Sequence, residues 1–548
     1  MQTFYVEKRF ADFRELINSS AALYGGRTAF VQKSRKAGGQ KLTYRELRER
    51  YYALCSRFLA CGLRGKRIAI LGPNSLEWVL SYLAAATVGV AVPLDKELHD
   101  ADIAHFTAYA ACAAICVADD RAESLSADSM QVYRFSEVML LSGVKNASDE
   151  KAVDGIPLRK DEMQVLIFTS GTTGHAKGVC LSQFAICSDI YSTVQAVKIR
   201  PKDVTLSLLP LHHTYECTLN CLLFLSRGAK ITYCDELAGL QKHMAAYRPT
   251  VLVVVPALLK LLARRIRQSI ARTCPKKYRP AFESESLAAA LASTPLPLRR
   301  LIGAKVRQSL GGRLRLLIVG AADLDTALID DFAALGIRTL QGYGLTECAP
   351  LLAGNNDFYL NPKSTGVAMP GIRLKIDSPN ADGVGEILAQ GDNLFLGYFR
   401  DPQATADAFR DGYFRTGDLG RMDDDGALYI RGRIKNVIVA ENGKNIYPEE
   451  LESRLARYAE VGEALVVRAD GRNGSIVKAK IFPNLEFIKG VLGRIPSKAE
   501  IETCIHSIVQ TVNHQIPVYK RIALVDILDS PLEKTGSQKI KRCGPNLA

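Results

Sequence analysis

The chain has 548 residues, 47% of them apolar and 23% charged. That length calls for more than one core, and that balance excludes a disordered or fibrous polymer. A formal net charge of +14 points toward anionic partners, while thirteen cysteines without a CxxC pair predict reduced thiols of a cytoplasmic protein rather than a disulfide framework or zinc site.

The opening stretch, MQTFYVEKRFADF, has mixed charge and no apolar export signal. From about residue 42 to 119, KRIAILG reads as a strand, SLEWVLSYLAAATVG as a helix and VAVPLD as a second strand. The same order recurs at VTLSLLPL, AKITYCD, PTVLVVVP and LRLLIVG, which predicts an α/β fold with largely parallel, helix-covered sheets. The apolar runs at 82–94 and 251–263 are too short to span a bilayer and contain Pro93 and Pro256. Cys112/Cys116 and Cys217/Cys221 have helical spacing but no second ligand pair nearby.

Much of the basic excess lies between Lys260 and Arg315, including Arg264, Arg265, Arg267, Arg299, Arg300, Lys305 and Arg307. Aromatic residues do not alternate with these charges as a single-strand nucleic-acid groove requires, so nucleic acid is not an expected partner. The segment reads either as a solvated helical insertion or as a surface resting on anionic lipid. After Gly354 the short runs GIRLKID, GEILAQG and GALYIRGR predict a β-rich subdomain, and from about Ile434 the chain returns to mixed α/β as a small separate domain.

Four segments carry chemistry. In LIFTSGTTGHAKGVCLS a β-like run leads into Thr169, Ser170, Gly171, Thr172, Thr173 and Gly174, followed by Lys177. Hydroxyls and glycines packed this densely offer N–H and O–H donors to polyphosphate oxygens, with the lysine adding positive charge. The spacing is not that of a Walker P-loop, and a Gly/Thr-rich surface loop is the simpler alternative. LQGYGLTECAP presents Tyr343, Thr346 and Glu347 on a tight Gly-rich turn, where Glu347 suits a hard cation such as Mg2+; a β-turn with a satisfied carboxylate is the alternative. Asp418 reads as a turn residue able to accept ribose hydroxyls, with Arg433 beyond a predicted hairpin; an Asx-turn and a surface ion pair are their plainer readings. LEKTGSQKIKR places Lys539 on a Gly/Ser loop, where a solvated charge is the ordinary reading.

Taken together and in this order, these segments resemble the adenylate-forming superfamily of acyl-CoA synthetases, luciferases and peptide-synthetase adenylation domains, over residues 42–542. GDNLFLGYFRDPQATADAF, GKNIYPEELE, KVRQSLGGRLR and KTGSQKIKR are similar to its fatty, often long-chain, acyl-CoA synthetase branch. The resemblance implies an N-terminal AMP-binding domain at 1–433, its β-rich subdomain at about 355–433, and a mobile C-terminal lid at 434–548 hinged near Lys435. It implies ATP-dependent activation of a medium or long fatty acid to acyl-AMP, then transfer to CoA, with ATP, Mg2+ and CoA as cosubstrates and cofactor. A ligase loading a carrier-protein phosphopantetheine is the nearer alternative, and a non-catalytic lipid- or nucleotide-binding protein the more distant one.

Residue by residue, the resemblance assigns Thr169–Gly174 and Lys177 to the phosphate loop, Thr346 to a phosphate contact and Glu347 to magnesium. Gly320, Ala321 and Ala322, with Gly342 and Tyr343, fall in the adenine- and acyl-lining segments, and Asp418 and Arg433 in the ribose pair. His213 matches a pocket residue near the carboxylate, Lys539 the adenylation lysine, Lys435 the hinge and Gly443 the pantetheine channel. In the family the lid rotates about that hinge, exchanging the lysine for a thioester-forming face.

Overall fold

A computed structural model describes residues 4–34, 38–125, 130–142, 150–169, 177–234, 239–284, 286–320, 324–440, 444–471, 474–534, 540–542 and 544–547. The chain forms two compact units. The first comprises 1–169, 176–373 and 390–412, and the second 170–175, 374–389 and 413–548.

Among the described residues the first unit contains two large sheets. In one, the strands run in the order Gly397–Tyr398, Lys177–Leu181, Val165–Thr169, Val90–Leu94, Arg67–Leu71, Cys112–Val117 and Gln131–Arg134. Pairing from Val165–Thr169 to Gln131–Arg134 is parallel, whereas Lys177–Leu181 and Gly397–Tyr398 add antiparallel edges. The strand–helix–strand unit read from KRIAILG onward forms as expected. Ser75 caps the helix Leu76–Val88 by accepting the Trp78 N–H, and every residue of that helix except Glu77 is buried. A helix apolar on all sides belongs under a sheet rather than on a surface.

The second sheet is also parallel through its centre, from Arg338–Gly344 across Leu316–Val319, Val251–Val254, Val204–Ser207 and Lys230–Tyr233 to Thr28–Ser34. Leu351–Gly354 pairs antiparallel with Arg338–Gly344 at one side, and Gly38–Thr43 closes the other. Pro256–Thr273 and Leu296–Ser309 are helices, so the basic segment is helical as expected. They cover the second sheet through Leu259, Ile266, Ile302 and Val306. No helix among the described residues is long and apolar enough to cross a membrane.

The second unit holds the strands Gly385–Gln390, Tyr413–Met422 and Leu428–Arg433 as an antiparallel set. A further sheet of Val461–Gly471, Gly474–Pro483 and Ile522–Ile527 packs on the helices Pro448–Leu455 and Lys498–His514. Leu451, Leu455, Val466, Ala479, Ile505 and Val509 form its core.

Three local readings are corrected. The helical spacing of Cys112 and Cys116 does not mark a helix: both lie on the strand Cys112–Val117, half-buried at Cys112 and buried at Cys116, which pairs on both sides so that tertiary pairing overrides the spacing. Tyr343 lies on the strand Arg338–Gly344, so the turn begins only at Leu345. Asp418 is mid-strand in Tyr413–Met422, because the hairpin partner Leu428–Arg433 supplies a ladder where a turn was expected.

Candidate active site

The hydroxyl- and glycine-rich loop is framed by an antiparallel hairpin. Val165–Thr169 leads in and Lys177–Leu181 leads out, with Thr169 directly opposite Lys177 and the Thr169 hydroxyl 3.4 Å from the Lys177 carbonyl. Ser170, Gly171, Thr172, Thr173 and Gly174 lie outside the described residues. At the hairpin base the Lys177 ammonium stands 4.3 Å from the centroid of the Tyr398 ring, a cation–π contact.

Tyr398 links that lysine to the second motif. Its hydroxyl donates to Oε1 of Glu347 at 3.0 Å, and the Phe395 N–H donates to the Glu347 carbonyl at 2.8 Å. Glu347 sits with Thr346 in the short 3-10 turn Thr346–Cys348, which follows the strand Arg338–Gly344. That strand must end closely against its neighbour: a side chain on Gly344 would collide with the Pro350 carbonyl, and one on Gly342 would lie 2.8 Å from Leu351. Lys177, Tyr398 and Glu347 thus form one run of contacts, with Thr346 beside it. A single partly exposed carboxylate oriented by a phenol fits Mg2+, which takes one or two carboxylates and completes its shell with water and phosphate oxygens.

Gly320 follows the strand Leu316–Val319, where parallel sheets present their ligands beyond the carboxyl ends. A methyl there would lie 3.1 Å from the Tyr215 ring, and the Tyr215 hydroxyl sits 3.2 and 3.1 Å from the carbonyls of Val254 and Ile318. Ala321 and Ala322 lie outside the described residues. His213 precedes the short helix Thr214–Glu216, its ring 4.1 Å from that of His212. His212 is buried, and desolvation, reinforced by the Lys96 charge, pushes its imidazole down to about 4. It is therefore neutral at pH 7, and its 3.6 Å approach to Asp95 is no ion pair there.

Within the second unit, Asp418 and Arg433 are cross-strand partners, the guanidinium Nε lying 2.9 Å from Oδ1 of the buried Asp418. A fixed carboxylate held by an arginine is a ready acceptor for a pair of vicinal hydroxyls. Lys435 is exposed in the turn Ile434–Asn436 of the same unit. Gly443 and Lys539 lie outside the described residues.

The sequence did not single out Tyr398, Asn393, Asp189 or Glu216. Tyr398 and Asn393 sit in GDNLFLGY, a segment noticed for its family likeness, but only the tertiary structure shows what they grip. Asp189 is the lone acid in the helix Gln183–Ala196, a weak signal. Glu216 lies three residues after His213 and caps the π-helical segment Cys217–Leu222, a distortion frequent at functional sites.

Residues 17–399 match the family model described as AMP-binding enzyme. The chain is 29% identical over 523 residues to long-chain-fatty-acid–CoA ligase FadD15 of Mycobacterium bovis, covering 87% of this chain and 86% of that one. It is 35% identical over 327 residues to human long-chain-fatty-acid–CoA ligase 1, covering 57% of this chain and 47% of that protein. The fold matches o-succinylbenzoate CoA synthetase of Bacillus subtilis in complex with its acyl-adenylate intermediate, at TM-score 0.75 and 21% identity over 98% of each chain. With the loop-framing hairpin, the Thr346–Glu347 turn and the parallel sheets all falling inside the matched span, this chain belongs to the AMP-binding enzyme family.

Proposed function

We propose that the chain is an AMP-forming acid–thiol ligase that makes fatty acyl-CoA. The carboxylate oxygen of the acid attacks the α-phosphorus of ATP and pyrophosphate leaves, giving acyl-AMP. The CoA thiol, losing its proton, then attacks the acyl carbon and AMP leaves. Neither step needs a protein nucleophile; alignment of two anions and neutralisation of charge at phosphorus are what the protein must supply. Lys177 and Thr346 bind phosphate oxygens, Glu347 holds the metal, and Asp418 with Arg433 binds the ribose. Magnesium, when bound there, neutralises phosphate charge. Lys539 offsets charge between carboxylate and α-phosphate, and a C-terminal lid at 434–548, hinged near Lys435, exchanges it for the thioester-forming step.

The observation that carries this reading is the Lys177–Tyr398–Glu347 contact run at the base of the hydroxyl- and glycine-rich loop. A medium or long fatty acid is the proposed substrate because relatives spanning most of the chain bear long-chain ligase names. Pyrophosphate release with and without CoA, across acid chain lengths, tests it. CoA-dependent thioester from fatty acids supports it; acyl-AMP that passes only to a carrier-protein phosphopantetheine redirects it, and no turnover with any acid overturns it.

A second reading concerns delivery of the acid. The helix Leu296–Ser309 contains no acidic residue and exposes Leu296 and Leu301, 48% and 54% accessible, beside exposed Arg299, Arg300 and Lys305. Apolar side chains set among cations suit the surface of an anionic membrane, from which a fatty acid partitions. Replacing Arg299, Arg300 and Lys305 by Gln lowers binding to phosphatidylserine vesicles by about 100-fold, at roughly 1 kcal/mol per lost cation. Equal binding of the variant, or none by the unaltered protein, removes the membrane from the account.

A further inference from the structure

Directly behind the Glu347 turn lies a buried polar pair that the proposed reaction leaves unused. Asp189 is fully enclosed, at 0% accessibility, and Asn393 nearly so. Oδ1 of Asp189 accepts the Leu351 N–H at 3.1 Å and lies 3.3 Å from Nδ2 of Asn393. The same Nδ2 donates to the carbonyls of Cys348 at 2.7 Å and Leu351 at 2.8 Å. Those two carbonyls fix which end of the amide is nitrogen, since the oxygen cannot face them.

Two oxygens remain. Asp189 Oδ2 and Asn393 Oδ1 are both buried, and neither has a donor among the described residues. An ionised carboxylate here would be an unpaired charge out of water, with two acceptors facing no hydrogen. A single proton on the acid removes the charge and satisfies both oxygens. We propose that Asp189 is held as a neutral carboxylic acid donating from Oδ2 to Asn393 Oδ1, and that this acid–amide pair positions the Thr346–Glu347 turn. Burial pushes the Asp189 carboxyl well above its ordinary range, and the groups that oppose it, the Leu351 N–H and the Asn393 amide, are uncharged.

The pair reaches the turn by two routes. Asp189 and Asn393 hold Leu351 and the Cys348 carbonyl on the far side. Asn393 also begins the segment whose Phe395 N–H and Tyr398 hydroxyl hold the Glu347 carbonyl and carboxylate on the near side. Asp189 is a positioning residue, and its consequence for cation binding rests on the reading of Glu347 given above.

Infrared difference spectroscopy of the full chain at neutral pH, unaltered protein minus Asp189→Asn, tests the protonation itself. Loss of a protonated-carboxyl C=O band is expected; loss of carboxylate bands instead overturns the proposal, whether or not the protein is a ligase. Positioning is tested by Mg2+ titration of fluorescent ATP-analogue binding. Asp189→Ala weakens the apparent Mg2+ affinity by about 10–100-fold, the usual cost of losing a group that orients a metal ligand. Asp189→Asn, which returns an N–H donor to the same place, restores most of it. Equal impairment in Ala and Asn variants, or no change in either, overturns the positioning role. Absence of nucleotide binding by the unaltered protein would instead refute the ligase reading and leave the infrared result standing.

Discussion

A phenol hydroxyl 3.0 Å from a carboxylate oxygen leaves Glu347 one oriented face for a cation, while the same ring holds Lys177 through its π-face. Tyr398→Phe keeps the ring and removes only the hydroxyl. The Mg2+ requirement of pyrophosphate release should rise about tenfold, as for other groups orienting metal ligands, with the melting temperature little changed. Glu216 carries a different load. Its Oε1 accepts from Ser207 at 2.5 Å and Asn220 at 2.6 Å, while its buried Oε2 has no donor among the described residues. Burial, only partly opposed by hydrogen bonds from Ser207, Asn220 and the Leu209 backbone, pushes its carboxyl up from 4.5 to about 7. A group whose folded pKa is raised lends stability that is full below its unfolded value and is lost as pH rises through the folded one. Stability should therefore fall between pH 4.5 and about 7, by on the order of 3 kcal/mol from this group. Glu216→Gln should flatten that slope in denaturant melts taken across the range.

At the scale of elements, the strand Arg338–Gly344 and its antiparallel neighbour Leu351–Gly354 deliver the Thr346–Glu347 turn, and their closeness depends on glycine. Gly344→Ala drives a methyl into the Pro350 backbone, which no side-chain rearrangement relieves. Overpacking of this kind costs about 1–3 kcal/mol, measurable by urea unfolding, and should depress pyrophosphate release beyond the loss of folded protein. The Tyr413–Met422 and Leu428–Arg433 hairpin works similarly in the second unit, since its register alone sets Asp418 opposite Arg433. A slip of one residue would turn the carboxylate to the other face.

For the whole molecule, the proposed division of labour between a large body and a terminal lid predicts separable half-reactions. Lys539→Ala should lower acyl-AMP formation by two to three orders of magnitude, since one charge aimed at the transition state contributes ~3–4 kcal/mol. Thioester formation from supplied acyl-AMP should survive; equal loss of both half-reactions would refute the rotating-lid scheme. The sequence by itself determined the alternating strands and helices, because burial on both faces writes continuous apolar runs such as VLVVV and helix-length patterns between them. It also offered the hydroxyl- and glycine-rich loop and Glu347 as candidates for phosphate and a hard cation, because such donors and a carboxylate suit those ligands, while a surface loop and a plain β-turn fit the same residues. Asp418 was misread as a turn residue because a hairpin ladder forms only when both strands are in place. The tertiary structure alone decided that Tyr398 reaches Glu347 across 51 residues of chain and that Asn393 meets Asp189 across 204. Hydrogen bonds between residues so far apart leave no periodic trace in the sequence, since they are set by how sheets and loops pack rather than by any local propensity.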